Sequence, residues 1–250
     1  MMKRCSFPVL AVVASLLAVP ARAGDWPQFR YDAGRTAASP HALPTELRLR
    51  WTRTLPAPQS AFPGEIRLAF DASDEPVVLG GTMFVPSMVT DCVMALDVET
   101  GEERWRFITE GPVRFAPAAW EGKVYFVSDD GYLYCLNAAD GSLRWRFRGL
   151  PEERQDRKVM GNGRLISLYP AHGGPVLSDG VVYFAAGLWP TEGVFVHAID
   201  AESGQPVWSN TDVDHIPASK CTTCLRASRQ ASRSSGFAAA VQAPARARTC

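Results

Sequence analysis

The sequence predicts an all-β protein, an incomplete β-propeller of about three four-stranded blades plus an N-terminal closing strand. Three observations carry that prediction. One pattern is written three times: ALDVETGEERW (95–105), CLNAADGSLRW (135–145) and AIDAESGQPVW (198–208). Each copy has a small residue, an Asp or Asn two positions on, then a Gly and a Trp. Each is also preceded by a Gly-led run rich in β-branched and aromatic residues, at 81–86, 122–128 and 180–186, the composition of a strand after a turn. The first two copies lie 40 residues apart, the length of one blade of about four short strands.

The elements follow in chain order. Residues 1–23 read as a secretory signal peptide: a basic start, an apolar run short for a bilayer, and the small residues Ala21 and Ala23 before a cut. Residues 24–56 form an entry segment and the closing strand, where LRWTRTL (49–55) echoes the Trp-bearing end of the repeat. Residues 57–212 hold the blades. Within each repeat a strand pair is joined by ETG, ADG or ESG, where Gly101, Gly141 and Gly204 can adopt the positive φ of a tight hairpin. Ala95, Asp97, Asn137 and Asp200 hold fixed places in the pattern. Trp105, Trp145 and Trp208 are expected between adjacent blades, because a blade has two apolar faces and an indole covers much of one.

Residues 213–250 break the strand grammar. The stretch 219–250 has eight Ala, five Ser and five Arg and a single aromatic residue, too little apolar surface for a core. Its Cys221 and Cys224 form a lone CxxC, and zinc needs more ligands than that. Three blades and a stray outer strand do not close a ring. The chain therefore reads as a truncated or frame-shifted frame, with a partial propeller completed by self-association through open blade edges as the alternative.

Charge divides along the chain. Residues 24–218 carry 17 basic and 26 acidic side chains, a net of −9, whereas 219–250 carry six basic and no acidic ones. An acidic body excludes a nucleic-acid partner read through phosphates. No stretch beyond the leader reaches the length of a membrane span. Export implies an oxidising compartment, yet Cys92 and Cys135 sit inside apolar strand-like runs. They read as small buried hydrophobes, with a disulfide between them as the alternative.

Candidate ligand positions come from the long insertion at 151–177, since loops on a rigid scaffold commonly carry function. Asn162, Arg164 and His172 could line the mouth of a propeller and hold a small anion or a carbohydrate. GNGRL (161–165) lacks the third glycine of a dinucleotide loop. His197 reads as a structural residue of a strand. No catalytic residue and no metal site stands out.

The intact A-x-D-x-x-T-G-x-x-x-W of Ala95, Asp97, Thr100, Gly101 and Trp105 resembles the tryptophan-docking repeat of the pyrroloquinoline-quinone (PQQ)-like β-propeller superfamily. DWPQFRYDAGRTAAS (25–39) resembles the entry segment of its periplasmic members. The resemblance covers roughly residues 25–210. It implies blades in a ring of seven or eight, each Trp docking on its neighbour. Members are quinoprotein alcohol dehydrogenases and cofactor-free BamB-type assembly proteins. The dehydrogenases place two adjacent cysteines beside the quinone, and this chain has no such pair. The function expected from the sequence is therefore a secreted or periplasmic binding or scaffolding module for an unknown protein or small molecule, without cofactor. The alternative is a fragment of a quinoprotein dehydrogenase, for which PQQ and calcium would be the cofactors.

Overall fold

The computed structural model describes residues 24–211 apart from 44, 66–69, 162 and 190. The predicted leader, the tail with Cys221 and Cys224, and Asn162 lie outside the described residues.

Fourteen strands and no α-helix make up the described chain. Blade 1 comprises β1 (Val77–Leu79), β2 (Thr82–Ser87), β3 (Cys92–Asp97) and β4 (Glu103–Ile108). Blade 2 comprises β5 (Ala118–Trp120), β6 (Lys123–Val127), β7 (Tyr132–Asn137) and β8 (Leu143–Arg148). A hairpin of β9 (Lys158–Gly161) and β10 (Arg164–Ser167) follows. Blade 3 comprises β11 (Val176–Ser178), β12 (Val181–Ala186), β13 (Phe195–Asp200) and β14 (Pro206–Asn210). Each blade is a four-stranded antiparallel meander in sequence order. The chain is thus all-β, with propeller blades and no closed barrel. The 151–177 stretch, expected as a loop, contains the β9–β10 ladder, pairing Leu165 with Met160 and Ile166 with Val159.

The repeated pattern has a physical reason at every place. Asp97 turns the β3–β4 hairpin: its Oδ1 accepts the N–H groups of Glu99 and Thr100 at 2.8 and 2.9 Å. Its carbonyl takes the Gly101 N–H at 2.8 Å. Asn137 and Asp200 repeat this with Gly141 and Gly204, each at 2.9 Å, a local cap that only a short Asx side chain supplies. The small residue of the pattern lies directly across the ladder from the Trp: Ala95 opposite Trp105, Cys135 opposite Trp145, Ala198 opposite Trp208. Just after each of these small residues the register slips by one, so the three blades share a bulge.

The core lies between blades. Tyr125, Val127, Leu133 and Cys135 of blade 2 pack against Val182, Phe184, Ala186 and Ile199 of blade 3. Phe84, Val93 and Ala95 of blade 1 pack against Val124, Phe126, Tyr134 and Leu136 of blade 2. Cys92 and Cys135 are free and buried, as small hydrophobes. Burial raises both thiols, that of Cys135 to about 12.

The indoles bridge these interfaces. Trp105 Nε1 donates to the Ala138 carbonyl of blade 2 at 3.0 Å, and Trp51 Nε1 to the Val98 carbonyl of blade 1 at 2.9 Å. Each ring lies flat on a hairpin glycine. A Cβ on Gly101, Gly141 or Gly204 would stand 2.6–2.7 Å from Trp51, Trp105 or Trp145 respectively. The expected closing strand therefore docks by its Trp, yet residues 47–60 form no ladder. Among the described residues no sheet stands beside it to pair with.

Candidate functional site

The blades have two rims. The glycine hairpins and docked indoles occupy one. The other gathers the β2–β3 and β6–β7 turns, the β4–β5 connection, residues 59–61 and Asp71, and the β9–β10 hairpin, and here the buried charge is concentrated.

Arg114, in the β4–β5 connection, is the hub. Its Nε donates to Asp129 Oδ2 at 2.5 Å and its Nη1 to the Gln59 carbonyl at 2.5 Å, with Asp71 Oδ2 3.6 Å away. Asp129 comes from the SDDG turn of blade 2 and Asp71 from the segment ahead of β1. His172 stands between the two carboxylates: Nδ1 lies 3.2 Å from Asp129 Oδ1 and Nε2 3.5 Å from Asp71 Oδ2. Phe115 and Phe70 enclose its ring edge-on, at centroid distances of 5.1 and 5.8 Å. The side chains of Arg114, Asp129, Asp71 and His172 are all buried. Asp71 Oδ2 also accepts the Ala61 N–H at 2.9 Å. Asp71 Oδ1 and His172 Nε2 have no hydrogen-bond partner.

A second layer adjoins it. Asp130 accepts the Tyr134 hydroxyl at 2.6 Å and the Tyr132 N–H at 3.0 Å. Burial nonetheless raises its carboxyl above the ordinary range, and burial also raises the Tyr134 hydroxyl. Asp91 is likewise raised by burial, against the pull of the Arg164 guanidinium.

The sequence-derived positions fall as follows. His172 sits in the charged hub. Arg164 reaches from β10 across to blade 1, donating to the carbonyls of Val89 at 2.6 Å and Met88 at 3.3 Å and pairing with Asp91. Its guanidinium is engaged by protein atoms and ties the insertion to the first blade. Asn162, two residues before Arg164, lies outside the described residues. Arg114, Asp129 and Asp71 escaped the sequence reading. The doubled acid at 129–130, without counterpart in the other two blades, was the available signal; nothing marked Arg114 or Asp71.

The hub is a closed electrostatic node, with one guanidinium and one imidazole against two carboxylates in a dry environment. Among the described residues no group of three or more His, Cys, Asp or Glu side chains is placed to hold a metal ion, and no helix is long and apolar enough to cross a membrane.

Comparison with known proteins adds what the geometry does not. Residues 48–169 match the family described as outer membrane protein assembly factor BamB. The dehydrogenase subunit of the quinone-type alcohol dehydrogenase of Gluconobacter oxydans (strain 621H) is 32% identical over 146 residues, covering 53% of this chain and 18% of that protein. The quinohemoprotein alcohol dehydrogenase of Comamonas testosteroni is 27% identical over 206 residues, 75% of this chain and 26% of the relative. The crystal structure of that enzyme superposes with a TM-score of 0.56 at 25% identity, covering 78% of this chain and 28% of the enzyme. The chain thus spans about a quarter or less of the length of these relatives. The cofactor-free expectation is overturned here: these relatives are quinone or quinohemoprotein enzymes. The absent Cys-Cys pair was a poor guide, because it tested one contact of a ring-sized site with only three blades in view.

Proposed function

We propose that this chain, similar over its blades to proteins of the PQQ-like β-propeller superfamily, contributes three consecutive blades of a periplasmic quinone-dependent alcohol dehydrogenase. The observation that carries the reading is the extent of likeness: the alignment to the Comamonas testosteroni enzyme runs over 206 residues and 75% of this chain, several times the length of one repeat. The binding or scaffolding role expected first gives way to its alternative. Placement in the periplasm accords with the leader-like first 23 residues.

The described residues do not fit a quinone on their own. A quinone presents carbonyl oxygens and asks for N–H or O–H donors. The buried cation here, Arg114, is already engaged by Asp129 and the Gln59 carbonyl. The unpartnered Asp71 Oδ1 is an acceptor and offers nothing to another acceptor. The role of these blades is therefore structural within the catalytic ring: Arg114, Asp129 and His172 tie Gln59, Asp71 and the blade ends together.

A chimera tests this. Residues 24–211 would replace the aligned stretch of the Comamonas testosteroni enzyme, with folding checked by circular dichroism. Retained quinone-dependent alcohol oxidation is the expected result. A chimera that folds and loads its quinone but oxidises no alcohol would overturn the proposal.

A further inference from the structure

The two internal interfaces define a docking rule, and both ends of the blade stack leave it incomplete. At each interface the forward face of one blade meets the rear face of the next. The forward face of blade 2 is Tyr125, Val127 and Leu133, with Trp145 seated on Gly204. By ladder register, the same places in blade 3 are Tyr183, Ala185 and Val196, with Trp208. Tyr125, Val127 and Leu133 are fully buried, whereas Tyr183, Ala185 and Val196 are half-exposed and Trp208 is 43% exposed. The edge strand is also unguarded. The outer strands β4 and β8 carry Arg104, Arg106, Arg144, Arg146 and Arg148, but β14 reads PVWSN, without a charge and exposed at every position.

At the other end the rear face is present and thinly covered. Val124, Phe126 and Leu136 of blade 2 correspond to Met83, Val85 and Leu96 of blade 1. Among the described residues no sheet covers blade 1 there. Trp51 and Leu55 lie across it, leaving a groove of ≈ 200 Å³ whose lining includes Met83, Val85, Leu96, Pro76 and Asp74. Trp51 holds Gly101 in the way Trp105 holds Gly141, with Arg53 fastened to the Gly101 carbonyl at 3.2 Å and to Glu103 at 2.8 Å.

We propose that a second copy of this chain docks head to tail, its blade 1 covering the forward face of blade 3, with Trp208 taking the seat on the second copy's Gly101 that Trp51 otherwise fills. The occupant is named by the rule itself: Trp208 needs a left-handed glycine with a carbonyl three residues before it. Gly141 and Gly204 are covered inside the chain, while Gly101 is covered only by a strand that has no ladder. The contact joins two different faces, so copies add head to tail, closing into a ring where the rotation between blades completes a turn and otherwise growing as an open series. Trp51 is then a competitor, an internal plug for the same seat.

The test uses the full chain in sedimentation velocity over a concentration series. The expected result is a progression of species growing with concentration. Trp208→Ser should raise the concentration at which association appears at least tenfold. Trp51→Ser should lower it, because the seat is vacated. A mixing experiment does not depend on how stable either variant is beyond its being folded by circular dichroism. Trp208→Ser keeps only a working acceptor face, and Gly101→Val only a working donor face. At concentrations where the parent chain associates but Trp208→Ser does not, each alone should stay monomeric, and the mixture should stop at one-to-one pairs. A chain that is monomeric at every concentration would assign the forward face to its own residues beyond 211 and overturn the proposal. So would association indifferent to Trp208→Ser, or a closed dimer that survives both substitutions.

Discussion

His197 shows how much a single buried polar side chain constrains this fold. Its Nε2 lies 2.8 Å from the Gly149 carbonyl, so that nitrogen carries the proton, and its Nδ1, 2.8 Å from Ser209 Oγ, accepts. The neutral ring is fully satisfied, linking blade 2 to the β13–β14 pair, and Phe184 stacks on it at 5.1 Å. Burial lowers its pKa below the ordinary 6.5, against the opposing pull of the Gly149 carbonyl. The unfolded chain therefore binds a proton more readily than the folded one. Stability is fully present above pH about 6.5 and falls as the pH drops from there toward the depressed folded value. Asp130 and Asp91, raised by burial, work in the opposite direction, so the comparison with a variant at His197 is what isolates the imidazole. The expected outcome is a denaturant midpoint that declines between pH 7 and 5.5. In His197→Gln, whose amide can serve both partners without titrating, that slope should flatten. An equal slope in both proteins would show that His197 is not its source. Trp145 shows the reverse case. The Ala201 carbonyl, counterpart of the acceptors used by Trp51 and Trp105, receives the Tyr125 hydroxyl at 3.0 Å. Trp145 Nε1 is left buried without a partner. Blade 1 has Phe84 at the matching place, so the conflict arises from one hydroxyl.

At the scale of the element, the blade hairpin is where the sequence was most readable. Asp97, Asn137 and Asp200 announce a side-chain-capped turn, and Gly101, Gly141 and Gly204 announce a left-handed residue, with φ of 74, 72 and 71°. Local chemistry decides both, so the sequence suffices. The second reason for those glycines, an indole from another blade lying on the missing Cβ, is a tertiary fact that no local pattern displays. The two reasons can be separated. Gly122 in the β5–β6 turn has φ of 72° and no atom within 4 Å of an added Cβ, whereas at Gly141 the Trp105 ring would be 2.7 Å away. Gly122→Ala should lose only the backbone preference, about 1–2 kcal/mol. Gly141→Ala should lose that and part of the Trp105 packing, for a total above about 3 kcal/mol. Equal losses in chemical denaturation would mean that the indole contributes nothing at this contact. The charged hub was far less readable for the same reason. Arg114, Asp71, Asp129 and His172 come from four separate stretches spanning about a hundred residues. Only the fold makes them neighbours, and His172 was singled out while its partners were not.

For the whole molecule, the arrangement behaves as a one-dimensional stack in which each blade touches only the next. Stability in such a stack is a sum of blade terms and interface terms, so the cost of removing an indole depends on whether a blade lies in front of it. Trp105 and Trp145 each have one, and they pack against Gly141 and Gly204. Trp208, identical in sequence position, has none among the described residues and is 43% exposed. Trp105→Ala and Trp145→Ala are therefore expected to cost ~3–5 kcal/mol each, as core aromatic truncations do. Trp208→Ala should cost clearly less than either in the dissociated chain, about 1–2 kcal/mol, since 43% of its surface stays in water there. The two interior losses should also add, because the interfaces share no side chain at the indole contact. Urea titrations of the three single variants and the Trp105/Trp145 double variant, at concentrations below any association, measure all of this at once. Three equal losses would contradict the stack, because three chemically identical positions would then be insensitive to whether a neighbouring blade exists. The same measurement repeated above the association threshold should raise the cost of Trp208→Ala toward the interior values, since the indole then has a glycine to lie on.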